Sequence, residues 1–311
     1  MTARRVLSIQ SHVVSGYVGN KAAVFPLQLL GFEVDFINSV QFSNHTGYPT
    51  VSGKEQVLES SDLKALMDGM AANNLNHFSH VLTGFIGSES FLDQVSEEIS
   101  KLKLSKPSLK YHCDPVLGDN GVFYVPESLV EVYKQKIMPV ADVITPNDFE
   151  VRQLTGEPCD SLENTLLAID KLHKMGPKTV VLSSILLDRN SENDLTLICS
   201  CRLDDGSFSR ARVDFPRIDA RFTGTGDLFS ALFLAWCVIY GENKCGEACE
   251  KAVSTIHEIL KKTMLSNNEY LANGHQEKES SNQIKPPPEL KLIASKSVIE
   301  KGDVIFKFEP L

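Results

Sequence analysis

No stretch of this 311-residue chain is apolar for long enough to cross a bilayer. The longest apolar run, residues 228–240, is interrupted by Ser230 and falls short of the roughly 20 residues a spanning helix needs. The opening Met1-Thr2-Ala3-Arg4-Arg5 leads straight into a strand-like stretch, with no signal-peptide core. Positive charge is scarce as well. With 31 Lys and Arg against 40 Asp and Glu, the formal charge is −9, which argues against nucleic acid or an anionic membrane as the main partner. The seven cysteines are odd in number and follow no framework, as expected in a reducing cytoplasm. Cys199-Ser200-Cys201 and the pair Cys245, Cys249 lack the further His or Cys of a finger-like site, and read as ordinary strand and helix residues. The absence of a G-x-x-x-x-G-K-[ST] run excludes a P-loop kinase, and no internal repeat is visible.

What is present is 42% apolar residues, ample for a large core. The length allows two domains, but a large α/β unit also reaches this size, and one domain over 1–311 is the expectation. Strand and helix patterns alternate through the first two thirds, the signature of a mostly parallel sheet covered on both faces. Strands are predicted at 6–9, 34–38, 80–83, 109–113, 142–145 and 179–183. Helices are predicted at 21–30, 63–72 (capped by Ser61 or Asp62), 91–102, 129–137 and 162–175. Residues 195–201 and 208–213 form an antiparallel hairpin around Asp204-Asp205-Gly206, and helices follow at 228–240 and 247–264. The polar, Pro-rich stretch 267–288 reads as a flexible surface loop, and 290–308 alternates as returning edge strands.

Small polar residues stand just past the predicted strand ends: Ser11, Thr83, Asp114, Thr145, Ser183 and Ser184, with Thr46 one loop after the second strand. In an open parallel sheet these ends face one crevice, where ligands bind. Asp114 and Asp119 place two carboxylates one loop apart. Asn147 and Glu150, three residues apart, share one face of a helix's first turn. Such oxygen groups suit Mg²⁺, although Asn147 with Glu150 alone also reads as a capping box. Gly224-Thr225-Gly226-Asp227 then runs into a core helix. Two glycines allow a tight turn whose N–H groups converge, and the helix N-terminus adds positive potential. A carboxylate at an anion site makes sense as a base beside an incoming phosphoryl group; the alternative is a plain helix cap.

Ser11, 114–119, Asn147 with Glu150, and 224–227, in this order, resemble the ribokinase superfamily. Leu7-Ser8-Ile9-Gln10-Ser11-His12-Val13, Gly16-Tyr17-Val18-Gly19-Asn20 and the run from Asn38 through Gln41-Phe42-Ser43-Asn44-His45-Thr46-Gly47-Tyr48 narrow the likeness to the eukaryotic pyridoxal kinase family. The resemblance runs nearly end to end, weakest at 184–212 and 267–288. It implies a three-layer α/β/α fold with antiparallel edge strands and no separate lid domain. It also implies a cytoplasmic homodimer that uses ATP to phosphorylate the hydroxymethyl group of pyridoxal, pyridoxine or pyridoxamine. By the same resemblance Asp227 is the base, and Gly224, Thr225 and Gly226 form the anion hole. Ser11 and Thr46 bind the pyridine ring's polar atoms, Val18 and Phe42 line its faces, and Phe85 keeps an aromatic wall; His45 helps hold the ring or is a structural loop histidine. Asp114, Tyr124, Thr145, Asn147, Glu150, Ser183, Ser184, Ile218, Asp219, Ala220, Thr225 and Gly226 border the nucleotide. Asp119 serves Mg²⁺ or another divalent metal, and Asp114 with Thr145 a monovalent cation, K⁺ or Na⁺.

The chain departs from the family pattern in Phe85, where many members carry Tyr, and in Ser183, where Thr is usual. The stretch 119–124 is also shorter than in vertebrate members, which affects the placing of Tyr124 over the nucleotide. A hydroxymethylpyrimidine kinase of the same superfamily and a non-catalytic vitamer-binding protein are the alternatives. The ring-pocket segments speak against the first, and the intact Asp119 and Gly-Thr-Gly-Asp turn against the second.

Overall fold

A computed structural model describes residues 4–53, 56–187, 193–272 and 287–311. The chain opens with β1 (Arg5–Val13), α1 (Asn20–Leu29) and β2 (Glu33–Phe42), then α2 (Ser60–Ala72), β3 (His80–Thr83), α3 (Glu89–Ser105) and β4 (Lys110–Cys113). A small ribbon follows, β5 (Gly118–Asp119) and β6 (Val122–Phe123). Next come α4 (Leu129–Val132), β7 (Val143–Ile144), α5 (Asp148–Thr155), α6 (Leu162–Met175) and β8 (Thr179–Ile185). The hairpin β9 (Asp194–Arg202) and β10 (Phe208–Pro216) leads to α7 (Thr225–Tyr240), α8 (Cys245–Ala272), α9 (Lys296–Lys301) and β11 (Phe308–Pro310).

One sheet carries the fold, in the order β11-β10-β9-β8-β7-β4-β3-β1-β2. From β2 to β8 every pairing is parallel, and β9, β10 and β11 are added antiparallel at one edge. Successive strand residues alternate between two cores. Leu7, Ile9, Val81, Ile144, Val180, Leu182 and Ile198 pack with α2, α3, α5 and α6. Val6, Leu82, Val143, Val181, Leu197 and Cys199 face the side of α1, α7 and α8. Period-two alternation with apolar residues on both faces gives the three-layer α/β/α architecture. Helix α7 is buried on every side from Leu228 to Cys237, because it lies between the sheet and its neighbours α1 and α8. Direction reverses at β1, with β2 on one side and β3 on the other. Strand ends at such a reversal open a crevice.

The tail differs from the sequence reading. Only Phe308–Pro310 joins the sheet; Ile293–Ser295 is a 3₁₀ turn, followed by α9. Leu292, Ser295 and Ile299 are buried at helical spacing, while Ile293 stays 57% exposed, so the apparent alternation had the wrong period. Residues 267–272 of the expected loop are helical instead, since α8 continues to Ala272. No Gly or Pro interrupts residues 251–272, so nothing local ends the helix before Ala272. Residues 273–286 of that expected loop lie outside the described residues. Helix α2 starts at Ser60 and is capped by Glu59, whose N–H donates to Asp62, rather than by Ser61 or Asp62. The 129–137 helix changes to a π-helical turn at Tyr133–Ile137. All seven cysteines are buried free thiols.

Phe233 sits fully buried in α7, stacked on Phe229. Phe233→Ala should cost about 3–5 kcal/mol by urea unfolding. A loss under about 1 kcal/mol would mean that α7 is not the clamped central helix described here.

Candidate active site

The strand ends converge as the alternation requires. Ser11 is buried near the end of β1. Asp114 follows β4 and donates its N–H to the Thr83 carbonyl at 2.9 Å. Thr145 follows β7 and donates its N–H to Cys113 at 3.1 Å. Ser183 and Ser184 stand where β8 slips register against β9, and Ser183 donates its N–H to Pro146 at 3.1 Å. Thr83 is the exception among these ends. Its hydroxyl is buried against that of Tyr111 at 2.8 Å and belongs to the core.

Close backbone approach builds the centre. Gly224 has φ of +82°, and a Cβ on it would stand 2.2 Å from the Tyr17 carbonyl oxygen. Gly19 has φ of +54°, and a Cβ there would stand 2.1 Å from the Ser11 carbonyl oxygen. Glycine is therefore required at both positions. The Gly19 N–H donates to Asp227 Oδ2 at 2.7 Å, so Ser11, the turn at 16–19 and the turn at 224–227 meet at one point. Gly224 itself is the left-handed N-cap of α7, which makes Asp227 the third helical residue and not a cap. Among the described residues no side-chain cap bond closes this helix start, where first-turn N–H groups can receive an anion.

A second carboxylate lies alongside. Asp114 is buried and stands 3.6 Å from where a Cβ on Gly226 would be. Burial, and then the charge of Asp227, push the Asp114 carboxyl up to about 8, against the lowering effect of Ser230 and Thr145. Thr145 Oγ1 meets Ser230 Oγ at 2.8 Å, and Ser230 donates to the Gly226 carbonyl at 3.0 Å. Burial also raises Asp227, opposed by the Gly19 N–H.

Asn147 and Glu150 do form a capping box. Asn147 Oδ1 accepts from the Glu150 N–H at 2.9 Å, and Glu150 Oε2 accepts from the Asn147 N–H at 2.8 Å. Glu150 also accepts from the Leu117 N–H at 3.0 Å, and the Asn147 amide donates to the Gly118 carbonyl at 2.8 Å. The pair thus pins the β5–β6 ribbon onto α5. Glu150 is held well above the ordinary carboxylate range, first by burial and then by Asp114. At the ribbon turn Asn120 has φ of +51°, and its N–H donates to Asp119 Oδ1 at 2.7 Å. Partial burial raises the Asp119 carboxyl, with Asp148 adding to the rise and Arg221 opposing it.

The remaining expected residues lie on β2, on the ribbon and in the loops after β1, β2, β3 and β10. Val18 is buried, with Cγ1 3.2 Å from the Cβ position of Gly224. Phe42 ends β2 half-buried, and half-buried Phe85 follows β3 with its carbonyl accepting from Ser39 at 3.0 Å. Thr46 is exposed beside buried His45. Tyr124 is 56% exposed at the ribbon. Ile218, Asp219 and Ala220 form a turn after β10, closed by the Ala220 N–H to Ile218 bond. Sequence reasoning gave no role to Gly19, Ser230, Arg221 or Glu289. Ser230 lies one helical turn past Gly226, a spacing that was there to be read.

The sheet and its strand-end crevice, closed by a glycine turn at a helix start, define a ribokinase-like α/β kinase. Residues 30–274 match the family model described as phosphomethylpyrimidine kinase. Among curated proteins the chain is 46% identical to pyridoxal kinase of Homo sapiens, with 97% of this chain and 96% of that protein covered. It is 48% identical to pyridoxal kinase of Arabidopsis thaliana, over 98% and 94%. The solved pyridoxal kinase of Leishmania donovani in complex with ADP and pyridoxine superposes with a TM-score of 0.86, at 32% identity and 99% coverage of both chains. The chain belongs to the pyridoxal kinase family.

The charged pair has a measurable consequence. Asp114 is raised from 3.8 to about 8, so its proton favours the folded state below pH 4, and that advantage is lost as pH rises towards 8. Asp114→Asn never ionises. In ligand-free protein it should melt higher than wild type at pH 8 and match it near pH 4, while its activity falls. A gap that is the same at both pH values would show that Asp114 is not a strained carboxylate.

Proposed function

We infer that this chain transfers the γ-phosphoryl group of ATP to the hydroxymethyl group of pyridoxal, pyridoxine or pyridoxamine. The observation that carries the reading is Asp227, held at a helix N-terminus by the N–H of Gly19, whose backbone packs against that of Ser11. The vitamer lies between Ser11, Val18, Phe42, Thr46 and Phe85, its hydroxymethyl group towards Asp227. Phe85 supplies an apolar wall without a hydroxyl. As the substrate oxygen bonds to the γ-phosphorus and the bond to ADP breaks, Asp227 takes the hydroxyl proton. Its raised pKa makes it a better base for that proton. The N–H groups at Gly224, Thr225, Gly226 and Asp227 receive the charge on the transferring group. Tyr124, Asn147, Glu150, Ser183, Ser184 and residues 218–220 border the nucleotide. His45 is held by its own loop, and its role is to shape the pocket.

The donor set fits Mg²⁺. Asp119 is a partly exposed oxygen ligand, and among the described residues no group of three or more His, Cys, Asp or Glu forms a closed metal site. Asp119 would hold a hard cation such as Mg²⁺ with positions left for water and phosphate, and the bound cation would offset phosphate charge. Asp114 with Thr145 fits a monovalent cation, since a buried carboxylate so strongly disfavoured as an anion gains from a positive partner.

No described helix is long and apolar enough to cross a membrane. The same reading takes residues 1–311 as one kinase domain acting as a homodimer. Phe36, 51% exposed, and Leu66, 47% exposed, border an apolar groove of about 560 Å³ beside the edge strand β2, a face suited to a second copy.

Purified protein with ATP, Mg²⁺ and pyridoxal should yield pyridoxal 5′-phosphate. Asp227→Asn should lower kcat by about 10²–10⁴-fold with vitamer affinity and melting temperature nearly unchanged. Binding of pyridoxal without formation of a phosphate ester would support a vitamer-binding protein instead, and hydroxymethylpyrimidine as the better acceptor would support the pyrimidine kinase.

KCl should raise activity above tetramethylammonium chloride at equal ionic strength, which separates a cation site from screening. Asp114→Ala should abolish the difference. Equal activity in both salts would remove the monovalent site from the mechanism.

A further inference from the structure

Glu289 lies far along the chain from the strand ends, yet its carboxylate sits between the two loops that shape the vitamer side of the cleft. The Tyr17 N–H donates to Oε2 at 3.1 Å. The Tyr48 hydroxyl donates to Oε1 at 3.1 Å. His45 Nε2 lies 3.1 Å from the same oxygen. The Gly47 N–H donates to His45 Nδ1 at 3.1 Å, which leaves the ring proton on Nε2, pointing at Glu289. Among the described residues every partner of this carboxylate is thus a donor.

The surrounding backbone is cut to admit it. Gly16 has φ of +98°, and a Cβ there would come within 2.6 Å of both Glu289 oxygens. At Gly47 a Cβ would come within 2.9 Å of the His45 ring and 3.2 Å of Pro287. Both sides of the contact lead directly to the reacting centre. Tyr17 precedes Val18 and Gly19, the residue that holds Asp227, while His45 precedes Thr46. Burial works against an ionised Glu289, but His45, Tyr17 and Tyr48 together hold its carboxyl below the ordinary range.

We propose that Glu289 is a positioning residue: its carboxylate ties the turn at 16–19 to the loop at 45–48 and so sets the width of the vitamer pocket. This rests on the vitamer reading given above. It also assigns His45 to loop geometry, since both ring nitrogens are engaged within the protein.

The test is pyridoxal affinity by calorimetry, with a non-hydrolysable ATP analogue present, for wild type, Glu289→Gln and Glu289→Ala. Nucleotide affinity and melting temperature are measured on the same samples. Glutamine keeps the shape but turns an amide NH₂ towards a donor, so it should not rescue. Both variants should bind pyridoxal about tenfold or more weakly, the order expected for lost hydrogen bonds to a charged acceptor. Nucleotide affinity should be unchanged. A Glu289→Gln protein that binds pyridoxal as wild type does would overturn the proposal. So would equal loss of nucleotide and pyridoxal affinity with a collapsed melting temperature in both variants, which would mark a purely structural contact. Wild type that binds no pyridoxal would instead sink the vitamer reading itself, and this proposal with it.

Discussion

The hydrogen bond from the Gly19 N–H to Asp227 joins the first crossover of the sheet to the start of its central helix. Around it the chain can carry no side chain at Gly19 or Gly224, because the facing carbonyls of Ser11 and Tyr17 stand about where a Cβ would go. That crowding keeps Asp227 in place when no substrate is bound. In the proposed role of base, a carboxylate held this way needs little reorganisation when the hydroxyl arrives, and for phosphoryl transfer positioning is most of what a protein contributes. In the proposed function Val18, next to Gly19, lines the vitamer pocket, so one turn would place both base and acceptor.

The electrostatics of the crevice run against stability. Asp114 and Glu150 are buried near one another and near Asp227, in a chain already at −9. Glu150 is partly compensated by backbone N–H groups, and Asp114 by hydroxyls alone. An uncompensated buried carboxylate is costly in the empty protein, and a bound cation reverses the sign of that cost. Strain of this kind is expected at a functional site rather than in a core.

Much of this was legible in the chain. Alternating strand and helix periods gave the parallel sheet, and the small polar residues at strand ends gave the crevice, because both follow from local spacing. Thr83 misled, since a hydroxyl at a strand end can as well turn inward, and only packing against Tyr111 decides it. The tail misled for a similar reason. Leu290, Leu292 and Ile299 are buried at intervals that suit a strand over a few residues and a helix over more. Asn147 and Glu150 were readable both as a cap and as site residues, and they cap α5 while fixing the ribbon that bears Asp119. Glu289 was not legible at all. Its partners lie about 240 to 270 positions away, and no local pattern encodes such a contact.

A crystal structure of the protein with pyridoxal, Mg²⁺ and a non-hydrolysable ATP analogue tests the central claim most directly. The γ-phosphate is expected on the N–H groups of residues 224–227, with the vitamer hydroxyl within hydrogen-bond reach of Asp227 and Gly19 still bonded to that carboxylate. A γ-phosphate seated elsewhere, or an Asp227 turned away from the hydroxyl, would contradict it.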